Sequence, residues 1–156
     1  MNVPRHPETV SRFVEHFASV LADGGVPRMP ARVFAALLAS DTGRLTAGEL
    51  ADALQVSPAA ISGAVRYLTQ VSLIGREREP GSRRDVYRIH DDLWYEAIVD
   101  RQPLLSRWER ALGEGVDALG ADTPAGRRLA GSVEFFAFLQ REMPALLARW
   151  REQRAG

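Results

Sequence analysis

TAGELADALQVSPAAISGAVRYLTQVSLIGREREPGSRRDVYRIH, residues 46–90, decides the fold of this chain. Two short helix signals stand close together in it, and an arginine-tipped hairpin follows at once. Thr46 with Glu49 three residues on is a capping box: the hydroxyl accepts an orphan helix N–H and the carboxylate reaches back to the cap residue. Leu50 and Leu54, one turn apart, give the first helix an apolar stripe, with the small Ala51 beside it. Ser57-Pro58 restarts a helix, with Ser57 as N-cap and Pro58 at the first position, where its missing N–H costs nothing. Ile61, Val65 and Leu68 recur at helical spacing and form the inward stripe.

Ala59, Ala60, Ser62, Gly63, Arg66, Tyr67 and Gln70 fall off that stripe. The first half of this outer face is small, and small side chains let a backbone approach phosphates and bases closely. The helix start also favours phosphate through its free N–H groups and dipole. Arg76 to Glu79 then run into Pro80-Gly81-Ser82, a turn signal, and the chain returns through Arg83, Arg84, Asp85, Val86, Tyr87, Arg88 and Ile89. Val86, Tyr87 and Ile89 favour a strand. Arginines at a hairpin tip bury nothing there, and phosphate or minor-groove contact explains them better than folding does. From Ser57 to His90 six arginines (66, 76, 78, 83, 84, 88) face three acids (77, 79, 85), a local net charge of +3 in a chain that nets zero. The competing explanation is a solvated charged hairpin. A helix-turn-helix with a wing is the hardware for placing one helix in a DNA major groove. The expected fold class is mainly α with a small β-hairpin wing.

The pattern resembles the MarR family of winged-helix transcriptional regulators, and within it the GbsR-like branch. The wing EPGSRRDVYRI (79–89) and EFFAFLQREMPALLARW (134–150) carry the likeness. It implies a bacterial homodimer joined through its N- and C-terminal helices, with double-stranded DNA as partner and, in many members, a small-molecule effector. It implies that the second helix of the motif reads the major groove, with Ser57, Ala59, Ser62, Gly63 and Arg66 at reading positions and Tyr67 beside them. Arg83 and Arg84 match the wing residues that reach the minor groove or backbone. Many members carry Asp-x-Arg there, the acid orienting the arginine; this chain has Gly81-Ser82-Arg83-Arg84. Asp85 is the acid left to take that role, and either arginine is open to enter the groove.

The flanks read as helix. Val10, Phe13, Val14, Phe17, Val20 and Leu21 form a stripe started by Pro7 and stopped by Gly24-Gly25. A second helix starts near Pro30 and carries Val33, Phe34, Leu37 and Leu38. After the wing, Asp91 or Asp92 caps a long helix from Leu93 to Leu119, broken or kinked at Pro103. Thr123-Pro124 starts a last helix carrying Leu129, Val133, Phe136, Leu139, Met143, Leu146, Leu147 and Trp150, with a kink expected at Pro144. These arms hold more apolar surface than one small motif needs to cover, so a two-fold dimer is expected. Phe13, Phe17, Leu21, Phe136, Leu139, Leu147 and Trp150 are its candidate residues, some of which pack within one chain. The expected division is a dimerisation helix over 1–28, a DNA-binding lobe over 29–90 and helical dimerisation arms over 91–156.

Other chemistries find little support. The 156 residues include no cysteine, which excludes disulfides, thiolate zinc sites and cysteine-based redox sensing. All twenty basic residues other than histidine are arginine, a coding bias that says nothing of function. No apolar run is long enough to span a bilayer and MNVPRHPETV is no signal peptide, so a cytoplasmic protein without membrane contact is expected. His90, Asp91, Asp92 and Glu96 crowd one corner, but helix capping accounts for the aspartates, and no metal or other cofactor is expected. Phe34, Trp94, Tyr95 and Trp108 lie near the junction where family members hold effectors, yet ordinary core packing explains them and no pocket is assigned. Three scattered histidines and no nucleophile–base pair argue against an enzyme. Gly113 and Gly115 follow no strand and make no nucleotide loop. The alternative function is a winged helix used only for protein contacts, without sequence-specific DNA binding.

Overall fold

The computed structural model describes residues 6–89 and 94–156. The chain runs α1 (Pro7–Asp23), α2 (Arg28–Ala39), β1 (Arg44–Thr46), α3 (Ala47–Leu54), α4 (Pro58–Gln70), β2 (Ile74–Arg78), β3 (Asp85–Ile89), α5 (Trp94–Val99), α6 (Gln102–Leu119) and α7 (Pro124–Ala155). It divides into two compact units, Met1–Ala97 and Ile98–Gly156. The fold is mainly helical with one small antiparallel sheet, as expected. His90, Asp91, Asp92 and Leu93 lie outside the described residues, and with them the corner weighed as a metal site and the expected aspartate cap.

The first unit is built around α2. Val33, Phe34 and Leu37 are at most 1% exposed, and Ala31, Ala35 and Ala36 are buried beside them. Small residues on three sides let α1, α3 and α4 come close, and each contributes buried residues. Val14 and Ala18 come from α1, Leu50 and Leu54 from α3, and Ile61, Ala64, Val65 and Leu68 from α4. Phe34 also packs edge-on against Trp94, with ring centroids 5.1 Å apart. Of the aromatics weighed as an effector site, Phe34 is core, Trp94 and Tyr95 are half-buried and Trp108 is 47% exposed.

Local signals set the boundaries. The Thr46 hydroxyl accepts the Glu49 N–H at 3.1 Å and the Ser57 hydroxyl accepts the Ala60 N–H at 3.3 Å. At the end of α1, Val26 N–H reaches back to the Leu21 carbonyl and Gly25 N–H to Ala22, a Schellman stop with Gly25 at φ +100°. The same six-to-one closure ends α3, from Val56 N–H to the Ala51 carbonyl, with Gln55 in the left-handed region.

The sheet holds a strand beyond the expected hairpin. Its order is β1-β3-β2, all antiparallel, with Arg44 opposite Arg88 and Thr46 opposite Val86. β1 is three residues long, too short for a period-two pattern to be read. The wing closes on a type II turn: Ser82 N–H donates to the Glu79 carbonyl, Pro80 takes the second position, and Gly81 the third at φ +76°.

The second unit is the α6–α7 pair. The expected break near Pro103 occurs at Asp100-Arg101, so α5 and α6 are separate and Pro103 sits in the first turn of α6. α7 runs unbroken through Pro144 for 32 residues. The two helices approach so closely that a Cβ on Gly115 would lie 2.8 Å from Leu129 Cδ1. At the turn between them the Thr123 hydroxyl accepts the Gly126 N–H at 3.0 Å.

If α2 organises the first unit, Phe34→Ala should lower unfolding free energy by about 3–5 kcal/mol. Urea denaturation checks this, and a loss below about 1 kcal/mol would contradict the central place given to α2.

Candidate nucleic-acid interface

With Ile61, Ala64, Val65 and Leu68 buried, the opposite face of α4 is held outward. Ser57, Ala59, Ser62, Gly63, Arg66 and Gln70 are exposed along it, and Tyr67 is half-buried at its edge. A Cβ built on Gly63 would meet nothing within 4 Å. Nothing in the folded chain therefore requires glycine at that point.

The wing separates its charges. Asp85 accepts a hydrogen bond from Arg76 Nη2 at 2.6 Å and lies 3.9 Å from Arg78 Nε. That hydrogen bond first, and then the charge of Asp85, raise the Arg76 guanidinium above its already high ordinary pKa. Glu77 lies between two arginines that stand opposite each other in the sheet, 3.0 Å from Arg44 Nη2 and 2.5 Å from Arg88 Nε. Like charges directly opposite on neighbouring strands are destabilising, and Glu77 offsets this pair. Asp85 is thus engaged by strand arginines and is not the orienting partner of a tip arginine.

Arg83 and Arg84 follow the turn and are both exposed. Arg84 is held through its backbone: its N–H donates to Ser82 Oγ at 3.0 Å, and its carbonyl accepts from Glu79 N–H. Among the described residues, no carboxylate pairs with Arg66, Arg83 or Arg84. An open cleft of about 520 Å³ between α3 and the wing is lined by Glu49, Asp52, Asp85 and Arg84. Three carboxylates against one guanidinium make it a poor anion site. The cationic surface is instead the tip together with Arg66.

A second surface lies on the α6–α7 pair. Leu105 and Leu147 are its only buried large side chains among the described residues. Phe136 packs edge-on against Trp108 at 5.6 Å, and Gln140 donates to the Glu109 carboxylate, so this side of α7 faces α6. Phe135, Phe138, Leu146 and Trp150 are 56%, 49%, 50% and 41% exposed. α7 therefore carries apolar residues on two faces, and one helix partner covers only one of them. Of the α7 residues expected from the sequence, Phe136 is engaged with α6, Leu147 is buried, Leu139 is half-buried and Trp150 is exposed; Phe135 and Phe138, not among them, are exposed as well. Only the helix that claims one face of α7 reveals which face is left. On α1, Phe13 and Phe17 stack at 5.7 Å, with Phe13 47% exposed and Leu21 half-buried.

Comparison with known proteins gives consistent results. A model of the MarR family matches residues 24–85, and a model described as MmpR5-like MarR family transcriptional regulator matches residues 92–153. The HTH-type transcriptional regulator MmpR5 of Mycobacterium tuberculosis is 28% identical over 148 residues, covering 94% of this chain and 89% of the relative. A crystal structure of a transcriptional regulator superposes with TM-score 0.81 at 26% identity, covering 92% of this chain and 99% of that one. MepR, a regulator of the Staphylococcus aureus multidrug efflux pump MepA, is 19% identical with TM-score 0.41, covering 95% of this chain and 87% of the other.

The open space at Gly63 has a direct consequence. Gly63→Ala should stabilise the protein by about 0.5–1 kcal/mol, because alanine loses less backbone entropy in a helix. A loss of stability in chemical denaturation would show that this face is packed after all.

Proposed function

We propose that this chain is a winged-helix transcriptional regulator of the MarR type, as the family models matching residues 24–85 and 92–153 support, and that it acts as a homodimer that reads a pseudo-palindromic operator with α4 and grips the flanking DNA with the wing tip. The observation that carries this reading is the division of arginines. Those on the strands are paired with Glu77 and Asp85, whereas Arg66, Arg83 and Arg84 project without a carboxylate partner among the described residues. Ser57 and the first turn of α4 meet a phosphate, and Ala59, Ser62 and Gly63 admit the backbone close to the bases. Arg66 reaches a base edge, with Tyr67 at the margin of the groove. Arg83 and Arg84 enter the minor groove or hold its phosphates.

Two copies join through α1 and α7. Phe13, Phe17, Leu21 and Trp150 contribute to that interface, together with Phe135, Phe138 and Leu146, while Phe136, Leu139 and Leu147 support it from the α6 side. Such a dimer spaces two reading helices by about one DNA turn, roughly 34–36 Å, or a multiple of it. The regulator works in the cytoplasm and has no catalysis of its own; among the described residues no helix is long and apolar enough to cross a membrane. The wing sequence supports the GbsR-like branch, while the C-terminal arms match the MmpR5-like model, so we place the arms nearer the latter. Release by a small, largely apolar effector is supported by a cavity of about 370 Å³ in the first unit. Val10, Val14, Ala36, Leu45 and Leu54 line it, with Ser11 and Glu15 as polar groups.

Two experiments test this. Arg83→Ala combined with Arg84→Ala should weaken DNA binding and flatten the dependence of log K on log salt by up to about two units per bound copy. An unchanged slope would favour the alternative, a winged helix serving protein contacts alone. Phe135→Ser combined with Phe138→Ser should yield monomer in light scattering, with operator affinity lost in parallel. A dimer that persists would place the interface elsewhere.

A further inference from the structure

One partly buried contact ties α1 to the turn that launches α4. The Arg32 side chain, on α2, is 18% exposed. Its Nη2 donates to Glu15 Oε1 on α1 at 2.7 Å, and its Nε lies 3.0 and 3.1 Å from the two carboxylate oxygens. The same Nη2 donates to the Leu54 carbonyl at 3.0 Å. Leu54 is the last residue of α3, where carbonyls have no helical partner, and is itself 4% exposed. Gln55 then turns in the left-handed region, and Ser57 caps α4 two residues later. One rigid guanidinium therefore links a residue of α1 to the last carbonyl of α3, at the start of the turn into α4. Lysine cannot reproduce this, because the link uses two edges of a planar fork.

The position of Glu15 on α1 is informative. At about 100° per residue it stands roughly 200° around the helix from Phe13. Phe13 and Val20 are left exposed, at 47% and 51%, while Val14 and Ala18 are buried within the unit. Glu15 thus ties α1 to α2 on one side while Phe13 and Val20 on the other side stay exposed. Building on the homodimeric DNA-binding reading, we propose that Arg32 is a positioning residue: through Glu15 and the Leu54 carbonyl it carries the setting of α1 in the dimer to the α3–α4 turn, and so fixes the half-site spacing that the two reading helices accept.

The test uses the full chain and palindromic duplexes selected from a random pool, with one or two base pairs inserted or removed between half-sites. Wild-type protein should bind the parent spacing at least about tenfold more tightly than the altered ones. Arg32→Met, which keeps the apolar stem, should still dimerise in light scattering but bind all spacings within a few-fold. That loss corresponds to a coupling of ordinary allosteric size. Glu15→Gln, at a side chain 47% exposed where the fold is not at stake, should shift the ratio the same way. Arg32→Lys should fail to restore it. A wild-type spacing ratio in Arg32→Met or in Glu15→Gln, whatever the change in overall affinity, overturns the proposal. A wild-type protein that binds as a single copy without spacing preference overturns the dimeric reading itself, and the role of Arg32 with it.

Discussion

The rest of the first unit depends on the packing of α2. Its Val33, Phe34 and Leu37 are sealed from solvent, and each neighbouring helix is oriented by the residues it gives to that core. Ile61, Val65 and Leu68 leave α4 no choice of face. Once they are buried, Ala59, Ser62, Gly63 and Arg66 must point away. The proposed reading surface is in this sense a by-product of hydrophobic burial on the opposite side of a 13-residue helix. The same core brings the wing into place, since Leu73 and Ile74 at its root and Val86 and Tyr87 on its return strand are buried with it.

Charge is partitioned by the sheet in a way that composition conceals. The chain is neutral overall, and even the segment from Ser57 to His90 has three acids for its six arginines. The register decides which arginines those acids serve. Arg78 stands opposite Asp85, and Arg76 reaches the same carboxylate from two residues away along β2. Glu77 sits beside Arg44 and Arg88 on the three-stranded ladder. Such exposed pairs each contribute little to stability, on the order of 0–1 kcal/mol. Their larger effect is selective: strand arginines are engaged inside the sheet, and the two at the tip are left to interact outward.

Much of this was legible from local chemistry. Thr46, Ser57 and Thr123 cap the helices they were expected to cap, and Pro80-Gly81 makes the turn that its residues imply. The first helix begins at Pro7 and ends before Gly24-Gly25 as its punctuation indicates. What escaped is non-local. β1 exists because Arg44 to Thr46 find partners on β3 forty or more residues away, and three residues carry no periodic signal of their own. Whether Asp85 serves a tip or a strand arginine depends on register, which the sequence alone leaves open. The residues of α7 that lie open could not be told from those facing α6, since both sets recur at helical spacing and are equally apolar. Pro144 lies inside a helix that continues past it.

The central claim is that two copies present two α4 helices to one face of a duplex, each flanked by a wing. Hydroxyl-radical footprinting of the full-length protein on a DNA site selected from a random pool tests it most directly. The account predicts two protected patches related by two-fold symmetry, with centres about one helical turn, roughly 10 bp, or a multiple of it apart, and weaker protection in the outer minor grooves. A single asymmetric patch, or uniform protection along the duplex, would contradict it.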